Sequence, residues 1–490
     1  MGKRKILDGT SIDGMLLAGI RLLTTMFGIF STMLLSKSLS LMVYGTYSQA
    51  NLVISLGTSF SVLGLTDGAI YFFNKAKDTE ESQCWLNTVF AIQICIGVLF
   101  GFGIIMARNW IIAYYQNSNL AGLFIYIAFR PLLNNLIAIL QVLQVSIGRA
   151  KVIAIRNIVL AIAKILAIYV AVIVVNDIKI IFITLLILDV LTVWYFWTTF
   201  EKEKYQIQIW KSDKSKVKEI IKFCVPMGVY VLTNSLSRDI DKVCIAYFAG
   251  TEKLAIYTNC STILPVDIIS AAFLTVVIPI MTRLISSREY QKSSQLFSYY
   301  IQLGYLTTLT FSAAIFTLSS ETISFLYGNK YLSGQPVFLL YMLVSGLRFA
   351  SLSLVLSANG ETKKLMYISV LGLVANLCMN IFLFYILGFI GPAVATVLIT
   401  IVTIVILLHN SVKVLKCNIN DVLNYRQVIK YLAKLIPTCL VFRLIANAMN
   451  SLHFPGGGTL ILSTGGICAV MFILNGNEVK NVLKGINEFR

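Results

Sequence analysis

Residues 230–247, YVLTNSLSRDIDKVCIAY, place Arg238, Asp239, Asp241 and Lys242 within five positions of an otherwise apolar stretch. Arg238 and Asp241 stand three apart, as do Asp239 and Lys242, so on a helix each couple can neutralise itself. Arg21, Arg130, Lys164 and Arg348 also lie in apolar surroundings and have no opposite charge within one helical turn. With Asp189 and Asp267 the set comprises six cations and four anions, which leaves a positive balance. A charge at mid-bilayer costs about 2.5 to 3.5 kcal/mol on insertion scales, so such groups face a partner or a wet cavity. Arginine suits phosphate because its planar fork makes two parallel, charge-assisted hydrogen bonds. The chemistry these residues support is the binding of an anion, phosphate-bearing, at membrane depth. Structural pairing at a helix interface is the competing reading for the quartet, and pairing with cations of another helix is the competing reading for Asp189 and Asp267. Lys434 and Arg443 read as peripheral.

The elements that must hold these charges follow from composition. The 490 residues are 57% hydrophobic and 13% charged, against about 45 to 50% and about 25% in soluble domains. Apolar runs of the roughly 20 residues that cross a bilayer as a helix lie at 11–36, 44–68, 83–107, 118–147, 152–175, 177–200, 219–248, 254–282, 294–319, 336–358, 364–387, 389–409, 427–449 and 457–475. Fourteen crossings are expected. The basic start MGKRK precedes a long apolar run without an A-x-A-like site and reads as an uncleaved first helix. Lys and Arg on alternate loops split 27 to 5, with Arg149, Lys151 and Arg156 counted among the 27. Because cytoplasmic loops carry the excess, both termini are expected in the cytoplasm. The formal +18 is then mostly topology and calls for no nucleic acid. Nine scattered cysteines without a C-x-x-C pair, and histidines only at 409 and 453, point to neither a disulfide framework nor a metal site. No phosphate loop of the G-x-x-x-x-G-K-[ST] type occurs, so neither an ATP motor nor a cofactor is expected.

Internal repetition organises the spans. LSLMVYGTYSQA (39–50) and FAGTEKLAIYTNCS (248–261) set Tyr47 and Tyr257 210 residues apart. IGRAKVIAIRNIVLAIAKILAIY aligns with NGETKKLMYISVLGLVANLCMNI, which puts Gly148 opposite Gly360 at an offset of 212. The expected architecture is all-α and polytopic. It has a lobe of six helices at 1–200, a cytoplasmic linker at 201–218, a second lobe at 219–409, and helices 13 and 14 with a cytoplasmic tail at 410–490. Six being even, the lobes form a parallel repeat, an arrangement that rocks about a central cavity. Polar stripes mark several helices: Arg21 with Thr25 and Thr32, Arg130 with Asn134, Gln141 and Gln144, Asn157 with Lys164, and Asn376 with Asn380. Close helix packing by small and polar residues is the competing reading of the uncharged stripes.

YGTYSQA (44–50), LGLTDGAIYFFNKAK (63–77), IKFCVPMGVYVLTNSLSRDIDKVCIAYFAGTEKLAIY (221–257) and LGFIGPAVAT (387–396), in this order, resemble the polysaccharide-export branch of the multidrug/oligosaccharidyl-lipid/polysaccharide superfamily. That branch includes the Wzx-type flippases of O-antigen and capsule synthesis. The chain departs from it at Met42-Val43, where the family often has Gly-Pro. The resemblance implies a fourteen-helix, two-lobed transporter of the bacterial inner membrane that moves undecaprenyl-pyrophosphate-linked oligosaccharide to the outer leaflet. It also implies membrane lipid and other surface-glycan assembly proteins as partners, and it sets Asp241 at the family's seventh-helix aspartate and Arg21 among its first-helix bases. On this reading Arg21, Arg130, Lys164, Arg238 and Arg348 hold the pyrophosphate, while Asn134, Gln141, Asn376 and Asn380 contact sugar. Asp189, Asp241, Lys242 and Asp267 then couple or gate. With the cell interior negative, export gains about 2.3 kcal/mol per negative charge at 100 mV. Two other readings stay open. A multidrug exporter of the same superfamily calls for an acid-dominated cavity, and a membrane glycan polymerase calls for a large outer loop, whereas the longest here lie near 108–117 and 320–335.

Overall fold

The computed structural model describes residues 23–489 apart from 176, 203, 204 and 263. Helix falls on each expected span, and no strand occurs among the described residues. The first span is seen as helix over 23–38; Arg21 and the basic start lie outside the described residues. Among the described residues, nine helical runs are long and apolar enough to cross a membrane. The number is ten when Tyr290–Thr317 and Ser319–Leu326, bent by 81°, form one span. The criterion falls short of fourteen for physical reasons. Thr362–Leu415 is a single run of 54 residues, about 80 Å at 1.5 Å per residue, divided at Gly388, whose φ is 60°. Expected span 336–358 is interrupted between Leu347 and Leu354. Tyr425–Ser451 carries Arg426, Lys430, Lys434 and Arg443 along its length.

The chain forms two compact units, Met1–Ala255 and Ile256–Arg490. The division therefore comes after the seventh helix, Lys214–Phe248, and not within the polar stretch 201–218. That helix belongs with the first unit because it lies directly on Leu41–Val62 and Leu65–Lys75. A Cβ on Gly64 would come 2.7 Å from the Gly228 nitrogen, and one on Gly228 would come 2.5 Å from the Leu63 carbonyl carbon. Leu63 and Gly64 have φ of 41° and 72°, a left-handed kink that glycine tolerates and that breaks the helix there. Above the kink, Ser55 donates to Asp239 Oδ2 at 2.7 Å. The core of this region gathers Leu65, Phe72, Trp85, Phe90, Leu140, Phe196 and Phe200.

The repeat reappears as geometry. Arg108–Tyr115, the 3-10 turn Ser118–Leu123 and the long helix Thr79–Met106 have counterparts at Ser319–Leu326, Asn329–Gly334 and the run Tyr290–Thr317, each 211 residues later. Gly148 and Gly360 both have φ of 74°. The NH after Gly148 (Arg149) bonds Gln144 O at 2.9 Å, and the NH after Gly360 (Glu361) bonds Leu356 O at 2.9 Å, the same left-handed helix stop. The repeats differ inside one element. Phe124–Ser146 is continuous, whereas its counterpart splits into Gln335–Leu347 and Leu354–Ala358, with Arg348 beginning the gap. Expected span 254–282 is likewise cut into Gly250–Cys260 and Ile268–Ser286. In the second unit, the π-helical turn Tyr305–Leu309 frees the Leu306 carbonyl, which accepts from the Tyr431 hydroxyl at 3.3 Å.

Candidate functional site

In the first unit, Phe124–Ser146 and Ile178–Glu201 pack together and bring Arg130 against Asp189. Arg130 Nε donates to Asp189 Oδ2 at 2.9 Å, and the two side chains are 11% and 9% exposed. Arg130 has no opposite charge within one helical turn, and Asp189 pairs with it as a cation of another helix. Its partner stands 59 residues away in sequence, on another helix. Asp189 also lies within electrostatic range of Arg156 and Lys164, both on Ala150–Tyr169. One carboxylate is thus paired with one basic group and lies within electrostatic range of two more, which leaves two positive charges in excess. The face of Ala150–Tyr169 marked by exposed Ile155, Val159, Ile162 and Leu166 is apolar at helical spacing, and Lys164 projects from nearly the opposite side.

Arg156 is the residue sequence reasoning missed. Lying at the edge of an apolar run, it counts as a loop charge in a topological tally, yet it sits on the helix beside Asp189. Its Nη1 donates to Asn157 Oδ1 at 2.8 Å, and its guanidinium lies 5.5 Å from the centre of the Phe196 ring. Its Nε is buried without an acceptor among the described residues. Only an alignment of the fifth and sixth helices in space reveals the contact with Phe196.

The quartet in Lys214–Phe248 resolves into distinct roles. Lys242 Nζ pairs with Asp239 Oδ1 at 2.9 Å and also donates to the Arg238 carbonyl at 3.3 Å. Asp241 is buried and accepts from the Lys242 backbone NH at 2.8 Å. Arg238 is exposed and reaches Ser235 Oγ at 3.3 Å. Of the amides, Asn134 makes a long contact of 3.4 Å to Thr58 Oγ1. Its neighbour Asn135, not singled out from sequence, bonds Ser61 Oγ at 2.9 Å and the Thr58 carbonyl at 3.3 Å, tying the fourth helix to the second. Gln141 is half-buried. Gln144 donates to the Phe196 carbonyl and Thr199 Oγ1 at 3.1 and 2.8 Å, a packing contact.

In the second unit Arg348 caps Gln335–Leu347 and donates to Thr400 Oγ1 at 2.9 Å. It is exposed and pairs with no carboxylate among the described residues. The irregular backbone that follows is held by Ser270, which donates to the Phe349 carbonyl at 3.1 Å, and by the Ser351 NH, which donates to the Tyr300 hydroxyl at 3.3 Å. Asp267 is exposed at the start of Ile268–Ser286. Asn376 and Asn380 are buried one turn apart on Thr362–Leu387. Asn376 Oδ1 and both polar atoms of the Asn380 amide lack partners among the described residues. Arg443, expected to be peripheral, is instead a strut: it donates to both oxygens of Glu321 at 3.0 and 2.9 Å and to the Thr317 carbonyl at 3.2 Å, across the sharp bend. Lys434 donates to Asn475 Oδ1 at 2.8 Å.

These arrangements can bind and release an anion; among the described residues no group of three or more His, Cys, Asp or Glu is placed to hold a metal ion. The fold is shared with solved transporters. The lipid II flippase MurJ, in an inward closed conformation, superposes with a TM-score of 0.74 at 17% identity, over 95% of this chain and all of that one. A multidrug resistance MATE family transporter of the MOP superfamily, inward-facing, superposes with a TM-score of 0.67 at 13% identity, over 82% of this chain and 99% of that one. No curated protein sequence matches the chain significantly. The sequence pattern of the family described as Polysaccharide biosynthesis protein matches residues 34–336, more than half of the chain. On that match, the chain belongs to the Polysaccharide biosynthesis protein family, with the all-helical fold of the MOP-superfamily transporters.

Proposed function

We propose that this protein is a flippase that carries undecaprenyl-pyrophosphate-linked oligosaccharide from the cytoplasmic to the outer leaflet of the bacterial inner membrane by alternating access. Both termini lie in the cytoplasm, as the Lys and Arg split of 27 to 5 favours. The observation that carries this reading is the pair of Arg130 with the single carboxylate of Asp189, with Arg156 and Lys164 within electrostatic range of that carboxylate. A drug exporter handling cations has no use for excess positive charge in its helices, whereas a lipid pyrophosphate needs it to leave the head-group region. Membership of a polysaccharide biosynthesis family and a fold shared with a lipid II flippase support the same substrate class.

On this reading Arg21, Arg130, Lys164, Arg238 and Arg348 bind the pyrophosphate in turn as the protein cycles. Asn134, Gln141, Asn376 and Asn380 offer amides to sugar hydroxyls, and the unpartnered amide of Asn380 is the strongest candidate among them. Asp189, Asp241, Lys242 and Asp267 exchange partners during the cycle. Other surface-glycan assembly proteins act before and after it. The test removes the protein from its host and follows the glycan lipid. Accumulation on the cytoplasmic leaflet with loss of surface glycan is the expected result; unchanged surface glycan rules the reading out.

A further inference from the structure

We propose that Arg156 is an additional phosphate-binding residue and that Asp189 is the resident anion whose place the phosphate takes on the basic cluster. The identity of the ligand rests on the flippase reading; the site itself rests on geometry. Arginine carries five N–H donors, and among the described residues Arg156 spends one on Asn157 while its buried Nε finds no acceptor. The nearest carboxylate, Asp189, is already engaged by Arg130 at 2.9 Å. A buried donor left without an acceptor is unfavourable, so the cluster is one acceptor short. The missing group is an anion of about two negative charges, as the two phosphates of a lipid-linked pyrophosphate carry together with one ionised oxygen on each, which matches the excess that Arg130, Arg156 and Lys164 hold over Asp189.

Position gives the cluster a direction. Arg156 lies about 9 Å along the axis from Ala150, the start of its helix, a depth close to the polar margin of the bilayer. Lys164 follows eight residues later, about 12 Å deeper. Lys164 stands nearly opposite the exposed apolar stripe of Ile155, Val159, Ile162 and Leu166, and Arg156 stands at about a right angle to it. A phosphate entering from the head-group layer meets Arg156 first. Passing to Lys164 and Arg130, it displaces the Asp189 carboxylate, which returns when the phosphate leaves. Asp189 thereby keeps binding weak enough for release and keeps Arg130 paired while the site is empty.

The experiment measures binding of inorganic pyrophosphate to the full chain in lipid nanodiscs by calorimetry, for the wild type, Arg156→Ala, Arg156→Lys, Asp189→Asn and Arg348→Ala. The expected result is about tenfold weaker binding in R156A, an intermediate value in R156K and about tenfold tighter binding in D189N. Should D189N fail to fold, the two Arg156 variants decide alone. A purely structural Arg156 lowers thermal stability in R156A without moving the pyrophosphate Kd, and that outcome overturns the proposal. Wild-type binding that depends on Arg348 but not on Arg156 overturns it too, while leaving the flippase reading intact. Binding through Arg156 in a protein whose removal leaves surface glycan unchanged keeps the site and discards the flippase reading.

Discussion

Arg130 and Arg348, one in each unit, both lack an opposite charge within one helical turn, and they are held in opposite ways. Arg130 sits on a continuous helix, nearly buried, with its charge met by Asp189. Arg348 stands where the matching helix breaks, exposed, and among the described residues only the Thr400 hydroxyl receives its side chain. A paired, buried charge is rigid, and breaking it leaves its partner stranded. A charge held by one neutral hydrogen bond is free to move to a better acceptor at small expense. The first unit thus keeps its arginine paired within a cluster of net positive charge, and the second presents one that no carboxylate meets among the described residues.

The comparison is most easily broken at Arg130. Arg130→Ala strands the Asp189 carboxylate, and a loss of about 3 to 5 kcal/mol is expected, seen as a large fall in thermal stability of the purified protein. The exchange Arg130→Asp with Asp189→Arg restores most of it; no restoration would mean that the pair is incidental to the fold. Glu321→Gln tests the second unit's own ion pair. Glu321 is buried but Arg443 is 36% exposed, so water can take over part of the lost contact and a fall of about 1 to 2 kcal/mol is expected. Arg348→Ala removes one hydrogen bond from an exposed guanidinium to a neutral hydroxyl, and because water can take over that contact a change of about 1 kcal/mol or less in stability is expected, together with loss of surface glycan export. A large stability loss there would erase the contrast between the units. Asn380→Leu is expected to have the smallest effect, within about 1 kcal/mol, because among the described residues the amide it removes has no partner to leave stranded; reduced export from a stable N380L protein would mark that amide as a sugar contact.

How much of this is legible in the sequence depends on the range of the interaction. Helices and the repeat are legible because hydropathy and a residue such as Gly360 act locally: the left-handed stop after the tenth helix repeats the one at Gly148. The break at 348–353 is not, since no proline or glycine marks it and the backbone there is held by distant groups, Ser270 and Tyr300. Of the quartet, the pair Asp239 and Lys242 is readable from a spacing of three. The partner of Arg130 is not, because no periodicity links residues 59 apart. Arg156 was hidden by its position at a span's edge, where a charge ordinarily reports topology and not chemistry.

The account stands on the claim that basic side chains within the helices carry a phosphorylated lipid across the bilayer. The most direct measurement reconstitutes the wild type and the stable variant Arg348→Ala in liposomes and follows the transfer of a pyrophosphate-linked glycolipid between leaflets. Transfer by the wild type and at least a tenfold slower rate in R348A is the predicted result, an effect of one lost charge-assisted contact to phosphate. Equal rates for the two proteins would contradict it.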